Sequence, residues 1–289
     1  MAARMILTVT PNAALDVTYR VDTLRRGGTH RVGDVHTRAG GKGVNVADVL
    51  TQLGEPVQAT GLADDVLRTR LPGFVPIAGP SRRTVTVVSD EEATLFNEPG
   101  PQISAWEWAA LLTEFDLLAA RADVVVLCGS LPPGVPVDGY AQLIRRSPAP
   151  VILDTDGEPL RQGLAAGPAL IKPNLDELTR LLGRKPDLPA DCAQLGVPVA
   201  ATLGAKGACL STSDGAWLAC PPAVTGNATG AGDAFTAALA RGLRLGTPWP
   251  DLLADAVALS AAAVCAPVAG TFDDPTYRRL AGLITVREA

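Results

Sequence analysis

Two patterns of apolar residues run along this chain. In the first, continuous apolar stretches at Met5–Thr10, Asp123–Cys128 and Val151–Asp154 predict strands. Runs without polar alternation mark parallel strands covered on both faces. Ala169–Ile171, Val197–Thr202 and Ala208–Ser211 add further strands. Stripes at three-to-four spacing predict the helices between them: Val46, Val49, Leu50 and Leu53 after Gly43; Trp108, Leu111, Leu112 and Phe115; and Ala234, Phe235, Ala238, Leu239 and Leu243 from a start near Gly230. Residues 174–182 and 252–264 read as helices too. Such alternation predicts an α/β fold, a doubly wound and mainly parallel sheet that binds ligands at the carboxyl ends of its strands. Segments 64–80 and 184–196 leave room only for loops or clipped helices.

The second pattern has period two. Val17, Tyr19 and Val21 alternate with Asp16, Thr18 and Arg20, and Thr29–Arg38 is polar and extended. Thr84–Val88 and Thr94–Asn97 repeat the pattern on either side of an acidic turn, Ser89–Glu92. Half-buried strands read this way. They predict a small antiparallel β-sheet lid made of 16–38 and 81–98, standing off a core made of 1–15, 39–80 and 99–289. The apolar face of that lid (Val17, Tyr19, Val85, Val87) needs cover, which points to a homodimer through the lid sheet.

Composition narrows the function. The 289 residues are 47% apolar and carry a net charge of −5, which argues against nucleic acid as a partner. With two histidines and no cluster of them, zinc is excluded as an expectation. The five cysteines form no CxxC pair and fall mostly in apolar runs, so they read as buried thiols of a reducing compartment. No signal peptide, lipidation site or 18-residue apolar span is present, and a cytoplasmic protein that does not enter the membrane is expected. Lysines are few (42, 172, 185 and 206), so each one in a glycine-rich setting stands out.

Candidate chemistry begins at Asn227-Ala-Thr-Gly-Ala-Gly-Asp233. Small residues at Gly230, Ala231 and Gly232 let a ligand approach the backbone, and a helix start offers free N–H groups to an anion. An aspartate is unexpected beside a phosphate unless it handles a proton, so the combination suits phosphoryl transfer to an alcohol.

Other turns are open to two readings. Gly40-Gly41-Lys42-Gly43-Val-Asn45 is a tight turn or a ligand cradle; it has neither the dinucleotide nor the P-loop spacing. Cys128-Gly129-Ser130 is a strand end leading into a proline-rich turn, or places Ser130 beside a phosphate. Ser130 lacks the partners of a hydrolase triad. In Lys172-Pro-Asn174-Leu-Asp-Glu177, Asn174 and Glu177 fit a capping box, or face hydrated Mg²⁺ and nucleotide phosphates. Thr202-Leu-Gly204-Ala-Lys206-Gly207 is a hairpin turn or a phosphate-binding loop. His30 and His36 belong to the polar strands and read as solvated.

In order along the chain, these motifs resemble the ribokinase-like (PfkB) carbohydrate kinases. Thr8–Asp16 together with 40–47 resembles the hexose-phosphate branch, and most of all its 1-phosphofructokinase group. The resemblance implies Asp233 as general base and Gly230, Ala231 and Gly232 as anion hole. Asp16 would grip sugar hydroxyls, with Gly40, Gly41 and Asn45 lining the same pocket. Lys42, Ser130 and Arg82, aided by Asn97, would meet a phosphate already on the sugar. Ser81–Thr84 resembles the branch's Thr-Arg-x-Asn segment, with Thr84 where that segment has asparagine; the segment before it is shorter than in that branch, so Arg82 and Arg83 compete for the phosphate contact. ATP and Mg²⁺ are implied, with Lys172, Asn174, Glu177, Thr202, Gly204, Lys206, Gly207 and Gly232 on the nucleotide side and Glu177 reaching the metal through water. Adenine would lie near 260–264. The expected reaction is phosphorylation of fructose 1-phosphate to fructose 1,6-bisphosphate; tagatose 6-phosphate and fructose 6-phosphate are the alternative substrates. An inactive sugar-phosphate sensor is the alternative of another class, though it would need neither Asp233 nor its flanking glycines.

Overall fold

The computed structural model describes residues 4–89 and 92–289. Its first half runs β1 (Met5–Thr10), β2 (Ala14–Val21), β3 (Asp34–Gly40), α1 (Lys42–Gln52), β4 (Val57–Ala63), α2 (Asp65–Arg68), β5 (Val75–Pro76), β6 (Arg82–Ser89), β7 (Glu92–Asn97), α3 (Ala105–Ala119) and β8 (Ala122–Cys128). Next come α4 (Gly139–Arg146), β9 (Val151–Asp154), α5 (Gly157–Leu164), β10 (Leu170–Ile171), α6 (Leu175–Leu182), α7 (Ala190–Ala193), β11 (Val199–Thr202), β12 (Ala208–Thr212) and β13 (Gly215–Ala219). The chain ends with α8 (Ala231–Leu245), α9 (Trp249–Val264), α10 (Asp274–Ala281) and β14 (Val286–Glu288).

Ten strands form one sheet in the order β14-β13-β12-β11-β10-β9-β8-β1-β4-β5. From β5 through to β11 the pairings are parallel, and β12, β13 and β14 continue the sheet antiparallel. Successive side chains of β8 show why its sequence is apolar throughout. Val124, Val126 and Cys128 pack with α1, α8 and α9, whereas Val125 and Leu127 pack on the opposite face with α3 and α4. Each buried leucine of this kind, cut to alanine, would cost about 2–5 kcal/mol. The helices start where local chemistry permits: Ser104 and Glu107 form a capping box on α3, and Asn174 with Glu177 forms another on α6.

Segments 64–80 and 184–196 hold no full-length helix, as their length implied: only the four-residue α2 and α7, with the two-residue strand β5 after α2. Four strands escaped the apolar-run criterion, the two-residue β5 among them. In β4, Gln58, Thr60 and Gly61 interrupt the run, while β13 and β14 are short strands at the sheet's margin.

The second sheet has four strands in the order β3-β2-β6-β7. Its outer pairings are antiparallel, and its central pairing, β2 with β6, is parallel. Pairing extends beyond the expected limits, from Ala14 on β2 and to Gly40 on β3, while the polar stretch 29–33 is not strand. Of the acidic turn at 89–92, Asp90 and Glu91 lie outside the described residues. Register places Asp16, Thr84, Arg38 and Asn97 on one face and Val17, Tyr19, Val35, Val85, Val87 and Phe96 on the other. The polar face looks onto the carboxyl ends of β1, β8, β9 and β11.

Candidate active site

Between the two sheets lies a cavity of about 1820 Å³. Asp233, 7% exposed, stands in the first turn of α8, where the chain turns through Gly230 at φ +88°. A Cβ at Gly230 would come within 2.8 Å of Ala269, so both the backbone angle and the neighbour select glycine. Of the three amides expected to form an anion hole, that of Ala231 is already bonded to the Ala228 carbonyl at 3.1 Å. The amides of Gly230 and Gly232 have no backbone acceptor among the described residues, and both residues line the cavity.

Asn45 of α1 donates from Nδ2 to Asp233 Oδ2 at 2.7 Å. Burial is the main influence on Asp233 and pushes its pKa up to about 6; Lys42 pulls downward, Asp154 adds to the rise, and Asn45 opposes it. That carboxyl is therefore balanced near the pH at which a base works best.

Asp154, at the end of β9, was passed over as chemistry because it closes an apolar run. It is fully buried, with Lys42 Nζ at 2.9 Å, Lys172 Nζ at 3.4 Å and a hydrogen bond from Thr236 Oγ1 at 3.1 Å. Burial alone would raise its pKa, yet Lys172 and Lys42 outweigh that and hold it below the ordinary carboxylate value. Burial likewise disfavours the charged form of Lys42, but Asp154, Glu177 and Asp233 prevail and its pKa is raised. A charged residue ending an otherwise apolar strand was the available signal. The structure thus groups Lys42 with Asp154 and Glu177 (3.8 Å) beside Asp233; its ion partners are these carboxylates and not the lid.

On the lid side, Asp16 faces Arg38 at 3.5 Å. Burial raises the Asp16 pKa although Arg38 and Arg82 work against it. A Cβ on Gly40 would fall 2.0 Å from Asp16 Oδ2, so Gly40 lies against Asp16 and makes room for its carboxylate, while Gly41 lines the cavity. Arg38, also overlooked in the sequence, donates to Asn45 Oδ1 and to the Ala269 carbonyl. Arg82 lines the cavity, as do Asn97 and Ser130, whereas Arg83 turns away and pairs with Glu98 at 3.0 Å.

The third wall is made by 172–177 and 202–207. Asn174 Oδ1 accepts from Glu177 N, and Glu177 Oε2 accepts from Asn174 N, both at 2.8 Å. Both residues still line the cavity. Thr202, Gly204 and Gly207 line it too, in a 3₁₀ turn joining the antiparallel strands β11 and β12; Lys206 is exposed and points elsewhere. His30 bonds the backbone of Arg25, and His36 is exposed on β3. Cys128, Cys192 and Cys209 are buried thiols, whereas Cys220 and Cys265 are exposed.

Comparison with known proteins agrees with this architecture. Phosphofructokinase-2 from Escherichia coli in complex with fructose-6-phosphate superposes with a TM-score of 0.87 at 26% identity, over 97% of this chain and 99% of that one. A "possible 1-phosphofructokinase" from Thermotoga maritima gives a TM-score of 0.88 at 23% identity, over 99% and 100%. Arabidopsis thaliana ribokinase, complexed with ribose and ATP, gives 0.75 at 24%, over 96% and 99%. The last two establish likeness of fold. Residues 75–276 match the model of the pfkB family of carbohydrate kinases. With a catalytic-type carboxylate at a glycine-rich helix start and a family match over most of its length, this chain belongs to the pfkB carbohydrate kinase family.

Proposed function

We infer that this sugar kinase transfers the γ-phosphoryl group of ATP to a ketohexose phosphate, in the first place fructose 1-phosphate, giving fructose 1,6-bisphosphate and ADP. The observation that carries the reading is Asp233: a buried carboxylate with a pKa of about 6, oriented by Asn45 and adjacent to the open Gly232 amide. In this reading Asp233 takes the proton of the free hydroxymethyl group as its oxygen attacks the γ-phosphorus, and the bond to the ADP oxygen breaks. The Gly232 amide and the ammonium groups of Lys42 and Lys172 meet the charge spreading over the phosphoryl oxygens. Asp16 binds sugar hydroxyls, and Arg82, Ser130 and Asn97 receive the phosphate carried by the sugar. The nucleotide lies along 172–177 and 202–207, with adenine toward 260–264. Closure of the lid keeps water from competing as acceptor.

Among the described residues no three His, Cys, Asp or Glu side chains converge as a metal cage. Glu177, one of several carboxylates that line the cavity, suits Mg²⁺, which keeps several waters and binds through one or two carboxylates plus substrate phosphates. When bound, it would neutralise charge on the β- and γ-phosphate oxygens.

Val35 and Phe96 are 52% and 56% exposed on the outer face of the lid, with Tyr19 and Val85 half-buried beside them. The four residues named from the sequence include Val17 and Val87, which are already buried. The uncovered apolar area therefore centres on Phe96 and Val35, and a homodimer through this sheet is the assembly we propose.

A second reading, fructose 6-phosphate as acceptor, is favoured by the likeness to the E. coli enzyme that holds that sugar. ADP release measured with fructose 1-phosphate, fructose 6-phosphate and tagatose 6-phosphate decides between them. The highest kcat/KM is expected for fructose 1-phosphate. Binding of a sugar phosphate with no ADP formed would favour a sensor instead.

A further inference from the structure

The turn joining β1 to β2 carries Asn12, which is 5% exposed and has no part in the chemistry described above. Three segments meet on it. Its Nδ2 donates to the carbonyl of Pro99, just beyond lid strand β7, and to Ser130 Oγ in the loop after β8, both at 3.0 Å. Its main-chain carbonyl accepts from Nε of Arg82, the first residue of lid strand β6, at 3.1 Å. A proline carbonyl can only accept, so the amide nitrogen must be the group that faces Pro99. The other amide atom, Oδ1, is buried without a hydrogen-bond partner, against Gly100, where an added Cβ would stand 2.4 Å away. An unpaired buried acceptor costs about 1–3 kcal/mol, so the two donations must hold this orientation against it.

This geometry constrains both groups that face the cavity. Ser130, having accepted from Asn12, keeps its own hydrogen free to donate. Arg82, anchored through Nε, keeps its terminal nitrogens for other partners, one of them 3.3 Å from Thr84 Oγ1. One side chain and its own carbonyl therefore hold a hydroxyl donor from the core and a guanidinium from the lid at a set separation. The same side chain also ties down the segment by which the chain leaves the lid.

We propose that Asn12 is a positioning residue for recognition of the sugar's phosphate: it aims the Ser130 hydroxyl and the Arg82 fork as a pair at one phosphate group, and fastens the lid to the point where that pair assembles. This rests on the reading of the substrate as a phosphorylated ketohexose.

The test measures kcat and KM for fructose 1-phosphate, fructose 6-phosphate and unphosphorylated fructose. It uses the wild type, Asn12→Ala, Asn12→Asp, Ser130→Ala and the Asn12→Ala/Ser130→Ala double variant, with thermal melting as a check on folding. Asn12→Ala is expected to raise KM for the preferred sugar phosphate about tenfold or more, with kcat changed less than about threefold and KM for fructose unaltered. Asn12→Asp, nearly isosteric, should raise that KM further, because its carboxylate captures the Ser130 proton and repels the phosphate. In the Ser130→Ala background the effect of Asn12→Ala should shrink, since the two share one function. Equal KM increases for fructose and its phosphates, or full additivity with Ser130→Ala, would overturn the proposal. If the wild type itself shows no preference for phosphorylated sugars, the substrate reading falls first; a preference that survives undiminished in both Asn12 variants sinks only the role of Asn12.

Discussion

In the ten-stranded sheet both faces are apolar and covered by helices, so polar chemistry can stand only where its strands end. Thr10, Asp154 and Thr202 close β1, β9 and β11 at the cavity, and Lys172 directly follows β10. In the four-stranded sheet polar and apolar positions largely alternate along each strand. Asp16, Arg38, Thr84 and Asn97 lie along its length on the face toward the cavity, and Val35 and Phe96 lie on the face turned away. Topology places function in the first sheet, register in the second. Electrostatics differ in the same way. Asp154 and Asp233 are buried beside Lys42, Lys172, Asn45 and Thr236, so their charges are little screened. The lid groups are nearer solvent, and each contributes less by itself.

That contrast orders the expected effects of mutation. The largest belongs to the core: Asp233→Asn should keep the fold and lower kcat by about 10³-fold or more. Near-normal turnover in that variant would refute Asp233 as the base. The same residue sets a pH dependence. Only the ionised carboxyl accepts a proton, so kcat/KM should fall on the acid side with an apparent pKa of about 6. The effect on stability has the opposite sense. The folded pKa of about 6 lies above the ordinary 3.8, so ionisation costs stability as pH rises from 3.8 to 6, and the full cost persists above that window. Asp233→Asn should therefore melt higher than the wild type at pH 8, by an amount on the order of 2–3 kcal/mol. The two proteins should converge below pH 4, and equal melting temperatures at both pH values would contradict the burial effect.

A smaller effect is expected from the lid. Arg82→Gln should raise KM for the sugar phosphate about 10- to 100-fold while kcat changes little, because the proposed guanidinium contact to the sugar's phosphate is lost but the reacting atoms are untouched. An equal fall in kcat would place Arg82 in the reaction itself. The smallest effect on turnover is assigned to the outer face of the lid. Phe96→Glu should shift the mass measured by light scattering from dimer to monomer; an unchanged mass would remove the lid face from the assembly.

Much of this was legible in the sequence. Continuous apolar runs at 123–128 and 151–154 announced buried parallel strands, and the alternation at 16–21 and 84–88 announced a half-buried sheet. Gly230–Asp233 showed itself as a helix start joined to a carboxylate. Asp154, Arg38 and Asn12 were not legible, and for Asp154 and Asn12 the reason is distance along the chain. Asp154 meets Lys42 across 112 residues, and Asn12 meets Ser130 across 118. Of the three, only Asp154 carries a local mark, a charge closing an otherwise apolar strand. Periodicity and turn chemistry are local properties, so the sequence alone determined the main buried strands, several of the helices, the two faces of the lid and the motif at Asp233. Which side chains from distant elements neutralise, orient or desolvate one another depends on strand order and on lid register, and only the tertiary structure decided that.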